Sequence, residues 1–529
     1  MTRTWDFVII GSGFGGSVSA LRLAERGRSV LLLERGRRFA DQDFASSSWD
    51  LPRYLWAPSV GCYGILQISA FRDVFVLHGA GVGGGSLGYA NVLMQPTAEA
   101  FEQESWRRPV HWGEALEPHY ATARRMLGVA TNPRLGPADE TLRGIARELG
   151  REASFQPVPV GAFFGEPGHE GKDYPDPYFG GAGPARRSCS HCGGCMVGCR
   201  HGAKNTLPKN YLWLAEKAGA EIQPFTTVTD IRPVDGPDDA RYEVHARSTK
   251  GFGPRPLPPI RARNVIVSAG ALGTQRLLFR CRARGSLSRL SPMLGTQVRT
   301  NNEALLGSVA RTGATDYSKG LAITSIFHAD RITTIEPVRY PAGSSMMRLL
   351  GGPMIDGGGF VSRLGRSLLE MVRRPGDFLR THVLPGWAER TTIILAMQYE
   401  DTHLRMRPGR SVFTGFRDDL VSERVEGQPV PGKIEIGHQV TRTFAERTGG
   451  IAMGSMNESL FNIPITAHIL GGVPVGATAA EGVVGPDAQV HGHPGLYVID
   501  GSIMPGNPGV NPSLTITALA EYAMSRLEG

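Results

Sequence analysis

The chain opens on a run of apolar, β-branched positions, Asp6 to Ile10. Glycines follow, then apolar residues at helical spacing from Ser17 to Arg26, then a second apolar run from Ser29 to Leu33. Short apolar runs bounded by turn residues read as strands buried on both faces, and 3.6-residue spacing reads as a helix. Residues 6–34 are therefore expected to form strand, glycine turn, helix and strand. Residues 99–150 have helical character, with faces around Ala100–Trp106 and Glu140–Leu149, and an irregular Pro/Gly/aromatic stretch fills Phe155–Arg187. A helix is expected near Asn210–Ala218 and strands at Val228–Val234, Tyr242–Arg247 and Asn264–Ser268, the last preceded by a Pro/Gly tract, Gly251–Pro259. Residues 300–460 alternate in strand fashion around one basic helical stretch between Val361 and Trp387. A short strand, Leu496–Ile499, and a helix beginning near Pro512 close the chain. No internal repeat is present, and the fold class is α/β.

Composition sharpens this picture. At roughly 100–200 residues per domain, 529 residues predict two or three structural units. The 41% hydrophobic and 20% charged content excludes a disordered or fibrous chain. Glycine, at 69 residues, exceeds the usual ~7% without a collagen-like period, so the excess belongs in loops with close backbone approach. No apolar stretch is long enough to span a bilayer, and the early strand leaves no room for a secretory leader, so a cytoplasmic setting is expected. The net charge of +8 comes from 57 cations against 49 anions, with no run of five or six like charges, so nucleic acid is not an expected partner.

The strongest local signal is Gly11-Ser-Gly13-Phe-Gly-Gly16, which fits G-x-G-x-x-G between a predicted strand and a predicted helix. The first glycine permits the turn, the second lets a pyrophosphate reach the backbone and the helix N-terminus, and the third allows helix to pack on strand. Glu34 ends the next strand, where a carboxylate can accept ribose hydroxyls. This fingerprint does not separate NAD from FAD. Three distant segments add to it: a second glycine run, Gly81-Val-Gly83-Gly84-Gly-Ser86; a strand and small-residue turn through Ala269 and Gly270; and Tyr497-Val-Ile-Asp500-Gly501-Ser502.

Together with the N-terminal unit, these segments resemble the glucose–methanol–choline (GMC) family of FAD oxidoreductases, from Asp6 to the final helix. Within it the chain is most similar to the bacterial cholesterol (3β-hydroxysteroid) oxidase branch, through Gly81–Leu87, Glu336–Gly343, His468–Gly472 and Asp500–Thr517. The resemblance implies a Rossmann-like FAD domain assembled from about 1–98, 190–300 and 465–529. A sheet-based α+β substrate domain would come from 99–189 and 301–464. It implies cofactor contacts from Gly11, Gly13, Gly16, Glu34, Gly81, Gly83, Gly84, Ser86, Asn91, Ala269, Gly270, Asp500, Gly501 and Asn511. Some family members tether FAD through a histidine after the second glycine run. Here that stretch reads Leu87-Gly-Tyr-Ala-Asn91, so noncovalent FAD is expected and His78 is read as structural.

The same resemblance implies the chemistry. His468 and Asn511 match the family's pair at the flavin face, where an alcohol loses hydride to flavin N5 and its hydroxyl proton to a base. An imidazole, with a pKa near 6.5, can take that proton, and an amide can hydrogen-bond the developing alkoxide. Asn511 also precedes Pro512 at a helix start, so a turn or capping role competes. Glu336 stands where steroid oxidases carry an active-site glutamate that moves a Δ5 ketone to the conjugated Δ4 ketone. Its neighbours differ here, and Arg339 is close enough in sequence to make Glu336 half of an ion pair instead. The expected reaction is oxidation of a secondary alcohol, foremost a 3β-hydroxysteroid, to the ketone, with isomerisation a second step. Molecular oxygen or an electron carrier would reoxidise the cofactor.

Two features leave alternatives open. Cys189, Cys192, Cys195 and Cys199 have the C-x2-C-x2-C-x3-C spacing of ferredoxins, but one run followed by Arg200 does not make a ferredoxin domain. An iron–sulfur cluster, tetrahedral zinc and free buried thiols are all compatible with it. A similar run occurs in some GMC dehydrogenases. With a cluster, this chain would be a dehydrogenase for another bulky apolar alcohol, passing electrons to a quinone, cytochrome or other carrier. Between Val361 and Trp387, leucines and arginines occupy different helical faces. That stretch is either an amphipathic cover of the substrate domain or a flap in peripheral contact with a membrane.

Overall fold

The computed structural model describes residues 3–235, 239–251, 253 and 255–527, so residues 252 and 254 of the Pro/Gly tract lie outside the described residues. The strand Thr4–Ile10 sits at the centre of an eight-stranded sheet, parallel to Val30–Leu33 on one side and to Ile260–Val267 on the other. Glu221–Gln223 extends the first flank in parallel, and Leu496–Val498 pairs in parallel with Val265–Val267. The strands Tyr242–Ser248 and Thr226–Pro233 form the other flank as an antiparallel hairpin, and Arg255–Pro256 pairs antiparallel with the end of Tyr242–Ser248 as the eighth strand. Continuous burial from Phe7 to Ile10 and from Val30 to Leu33 is what a parallel sheet covered on both faces requires.

Helix Phe14–Glu25 follows the first strand, one turn earlier than the apolar spacing alone suggested. Gly13 caps it with no side-chain bond and no acidic residue fills its first turn, so its first N–H groups have no side-chain acceptor. Gly16 makes the close packing possible: a Cβ there would lie 2.0 Å from the Gly11 carbonyl oxygen.

A seven-stranded sheet forms the second layer system, in the order Gly351–Pro353, Gly450–Ser455, Ala304–Ala310, Thr391–Gln398, Thr333–Val338, Ser325–His328 and Gln156–Pro157. Helices Glu435–Arg447 and Pro137–Glu148 share a buried cluster with it, including Phe327, Ile335, Ile394, Leu142 and Phe444. Helix Trp112–Leu127 buries Trp112, Leu116 and Tyr120 in the same core as the nucleotide sheet. Pro118, the seventh residue of this helix, does not end it. The basic stretch is two helices, Phe360–Arg373 and Pro375–His382, divided at Pro375, where a proline is expected to interrupt it.

Candidate active site

Where the two sheets meet, a cavity of about 510 Å3 runs from the glycine turn to the second sheet. Ile10, Gly11, Gly13, Glu34, Gly84, Ala269, Gly270, Asp500 and Gly501 line it, so the strand ends of the parallel sheet open into it, as doubly wound sheets dictate. Gly13 has open space where a Cβ would stand, leaving room for a group to lie against the backbone. The Glu34 carboxylate is fixed by Ser12 N (3.1 Å), Ser12 Oγ (2.6 Å) and Gly36 N (2.8 Å), which all donate to it. Asp500 accepts from Gly270 N at 2.9 Å and Ser502 N at 2.8 Å; burial nonetheless pushes its carboxyl above the usual range.

Not every expected cofactor residue reaches this cavity. Gly16 acts beneath it, and Gly81 and Gly83 stand behind its wall, against Leu87 and Pro208. Ser86 donates to Gly83 O at 2.7 Å and accepts from Leu207 N at 3.0 Å, so its hydroxyl braces the loop. Asn91 lines a different, smaller cavity of about 140 Å3, together with Cys189, Cys192, Cys195, Cys199 and Lys204. These four cysteines are free thiols. Among the described residues no group of three or more His, Cys, Asp or Glu side chains, these cysteines included, is placed to hold a metal ion. Burial pushes the Cys195 thiol up to about 11 and Lys204 down to about 7. The Lys204 ammonium donates to Leu87 O, Tyr89 O and Cys195 O at 2.9, 2.7 and 2.8 Å, which ties the cysteine loop to the second glycine run. His78 lies on the main cavity, its Nε2 2.9 Å from Ser69 Oγ.

The far end of the cavity carries the predicted pair. His468 and Asn511 both line it, beside the apolar Ile65, Leu305, Val338, Tyr340, Ile393 and Leu395. Asn511 does not cap the final helix, whose cap position is Pro512 without a side-chain bond. Instead its Nδ2 donates to Glu336 Oε2 at 3.3 Å, while Asn511 Oδ1 and Glu336 Oε1 are buried with no partner. Two unsatisfied acceptors side by side mark a place where a ligand donor belongs. Glu336 is fully buried behind Asn511, and burial raises its carboxyl to about 8, the Asn511 bond opposing this and the Glu303 charge adding to it. The proposed Arg339 partner is overturned: Arg339 turns to Asp139, Thr324 Oγ1 and Lys319 O.

Residues that sequence reasoning passed over hold this corner together. Glu303 is buried, meets His468 Nδ1 with one carboxylate oxygen and accepts from Ala467 N at 2.6 Å with the other. That contact leaves His468 Nε2 for the cavity. Asn301, two residues earlier, accepts from Gly509 N at 2.8 Å and donates to Val510 O at 3.1 Å, while Thr334 Oγ1 donates to Gly509 O at 2.7 Å. Asn507 Oδ1 accepts from Asn301 N at 2.9 Å. The segment 300–303 thus positions both members of the pair. Its visible signal is the polar run Thr300-Asn-Asn-Glu303 between strands, with Asn301 and Asn302 at φ +56° and +42°, a conformation asparagine tolerates.

The family model for "GMC oxidoreductase" matches residues 388–520, and that for "FAD dependent oxidoreductase" matches residues 6–152. The cholesterol oxidase of Mycobacterium tuberculosis (strain ATCC 25618 / H37Rv) is 47% identical over 533 residues, covering 99% of this chain and 91% of that protein. The chain belongs to the GMC oxidoreductase family. The cholesterol oxidase of Acinetobacter baumannii is 43% identical, with 98% and 94% covered. The solved pyridoxine 4-oxidase from Mesorbium loti, 15% identical, shares the fold with a TM-score of 0.62 over 99% of each chain. This GMC protein is an FAD-dependent enzyme acting on CH–OH donors, and its cavity suits that cofactor. Bare backbone at Gly11, Gly13 and Gly84, the uncapped helix start and the fixed Glu34 carboxylate would hold the dinucleotide. His468 and Asn511 stand at the other end.

Proposed function

We propose that this enzyme oxidises a secondary alcohol of the 3β-hydroxysteroid class to the ketone with noncovalently held FAD, and that oxygen takes up the electrons. What supports the reading is the His468–Asn511 pair beside an apolar wall, backed by whole-chain similarity to two cholesterol oxidases. Bound FAD supplies the hydride acceptor. Everything else falls to the chain. The apolar wall of Leu305, Val338, Ile393 and Leu395 excludes water and takes the ring system. Asn511, held by Glu336, orients the hydroxyl, and His468 Nε2 accepts its proton while Glu303 fixes the imidazole and stabilises the charge it gains.

The raised carboxyl of Glu336 suits a second task. An acid near pH 8 can release and take back a proton close to neutrality, which the shift from a Δ5 to a Δ4 ketone requires. The test is anaerobic mixing of the holoenzyme with cholesterol, followed by oxygen. Loss of the oxidised-flavin band, then peroxide, ketone and the ultraviolet absorption of a conjugated enone are expected. A flavin band unchanged by sterol would overturn the substrate class, and electrons passing to an artificial carrier but not to oxygen would overturn the acceptor.

A further inference from the structure

Two tyrosine hydroxyls meet in the apolar part of the central cavity. Tyr54 and Tyr340 both line it, are 1% and 6% exposed, and Tyr54 Oη donates to Tyr340 Oη at 3.4 Å. One hydrogen bond between two hydroxyls uses one proton of two. Among the described residues the Tyr340 proton has no acceptor. Burial pushes the Tyr340 hydroxyl up to about 12 and the Tyr54 hydroxyl well above the usual phenol range, so both stay protonated near neutrality. Around them stand Ile65, Leu305, Val338, Met347 and Ile393, which offer no acceptor. A buried donor without a partner is costly, and a ligand that brings an acceptor would complete it.

The strand Thr333–Val338 shows how far this donor lies from the reacting end. Side chains on one face of a strand recur at every second residue, so Glu336, Val338 and Tyr340 share a face. Arg339, between them, turns the other way to Asp139. Pairing continues past the strand's end, where Val338 bridges to Ile323 and Arg339 N donates to Ala322 O at 2.9 Å. At about 3.3 Å per residue, the four steps from Glu336 to Tyr340 span ~13 Å. Glu336 holds Asn511, which orients the hydroxyl that reacts, so the second polar point lies roughly one four-ring nucleus further on. Between the two points the wall is apolar: Val338, with Ile393 opposite it, and Leu395 opposite Glu336. Polar, apolar, polar is the pattern of a 3β-hydroxysteroid that carries a second oxygen on ring D.

We propose that Tyr340, its hydroxyl held by Tyr54, determines specificity by donating a hydrogen bond to an acceptor oxygen on ring D, so that the enzyme favours 3β-hydroxysteroids oxygenated at C17. The inference rests on the steroid reading of the site. Its test uses holoenzyme and a matched pair, 3β-hydroxyandrost-5-en-17-one and the same nucleus with CH2 at C17. Wild type should favour the ketone about tenfold in kcat/KM, the effect of one buried hydrogen bond. The difference should lie in KM, because the contact is remote from the carbon that reacts. Tyr54→Phe/Tyr340→Phe should bring the pair within about twofold and keep its FAD and thermal midpoint, since removing both hydroxyls leaves no orphan. Tyr54→Phe alone leaves Tyr340 its proton and should keep the preference. A merely structural pair of hydroxyls would move both steroids alike. Equal turnover of the two by wild type, or a double variant that retains the tenfold ratio, sinks the proposal and leaves the steroid reading intact. Should neither steroid reduce the flavin, the steroid reading itself falls and takes this inference with it.

Discussion

At one end of the central cavity the wall is backbone: Gly11, Gly13, Ala269 and Gly270, with helix N–H groups left open and one carboxylate held by Ser12. At the other end it is side chain: His468 set by Glu303, and Asn511 set by Glu336 and by a loop that Asn301 pins. The first end comes largely from one contiguous unit; the second is gathered from residues 301–303, 336, 468 and 507–511. A site made of backbone depends on what is missing at each position, so adding atoms destroys it outright. A site made of supported side chains loses function by degrees, each support contributing its share.

The sharpest way to break that contrast is at Gly16. A Val Cβ there would fall 2.0 Å from Gly11 O, a backbone atom that cannot swing aside. Gly16→Val is expected to yield essentially no flavin-loaded protein, read as the flavin absorbance of the purified chain. A stable yellow variant would show that the crevice yields as readily as the corner. His468→Ala comes next. Turnover should fall by roughly 10^2–10^4, the usual worth of a positioned base, with FAD content intact because the cradle lies at the other end. A loss below about tenfold would remove His468 from proton transfer.

Glu336 tests the corner through stability. Its carboxyl moves from an ordinary 4.5 to about 8 on folding. Below 4.5 it is neutral in both states and costs nothing by this route. Between 4.5 and 8 the folded chain keeps a proton that the unfolded chain releases, so stability declines as pH rises through that window and levels off above it. Glu336→Gln, which never ionises, escapes the decline. Its advantage over wild type should grow from near zero at the acid end to on the order of 5 kcal/mol above pH 8, read as the difference in thermal midpoint across pH. A flat difference would mean that the carboxylate is solvated in the folded state. The same variant should oxidise sterol yet release the unconjugated ketone, which separates Glu336's part from that of His468.

The two ends also differ in what the sequence discloses. The glycine turn, the strands around it and Glu34 are legible because one physical demand, close approach of backbone, is met within about 30 consecutive residues. His468 and Asn511 are legible only through family resemblance; nothing in the residues beside them states that they meet. Glu303 and Asn301 leave a weaker trace, since a buried acid in a polar loop looks the same in sequence as an exposed one. The cysteine run is legible only as an open choice between metal ligands and free thiols: spacing permits convergence on a metal, and among the described residues no group of three or more ligands is placed to hold one. Arg339 was the nearer partner for Glu336 along the chain, and strand geometry sends it to Asp139 instead.

Glu303 offers the finest probe of whether supports act by degrees. Glu303→Gln keeps the volume and an acceptor but removes the charge that faces His468 Nδ1. Hydrogen bonds to charged groups are worth ~1.5–3 kcal/mol, so kcat should drop by about 10–100-fold, less than for His468→Ala. The charge helps only as the imidazole gains its proton, so KM should stay near wild type, and Glu303→Asp should recover part of the loss. A merely structural glutamate would behave otherwise: the Gln variant would lose thermal stability and raise KM with kcat unmoved. Loss as deep as that of His468→Ala, with no recovery in Asp, would make the corner as intolerant as the glycine crevice.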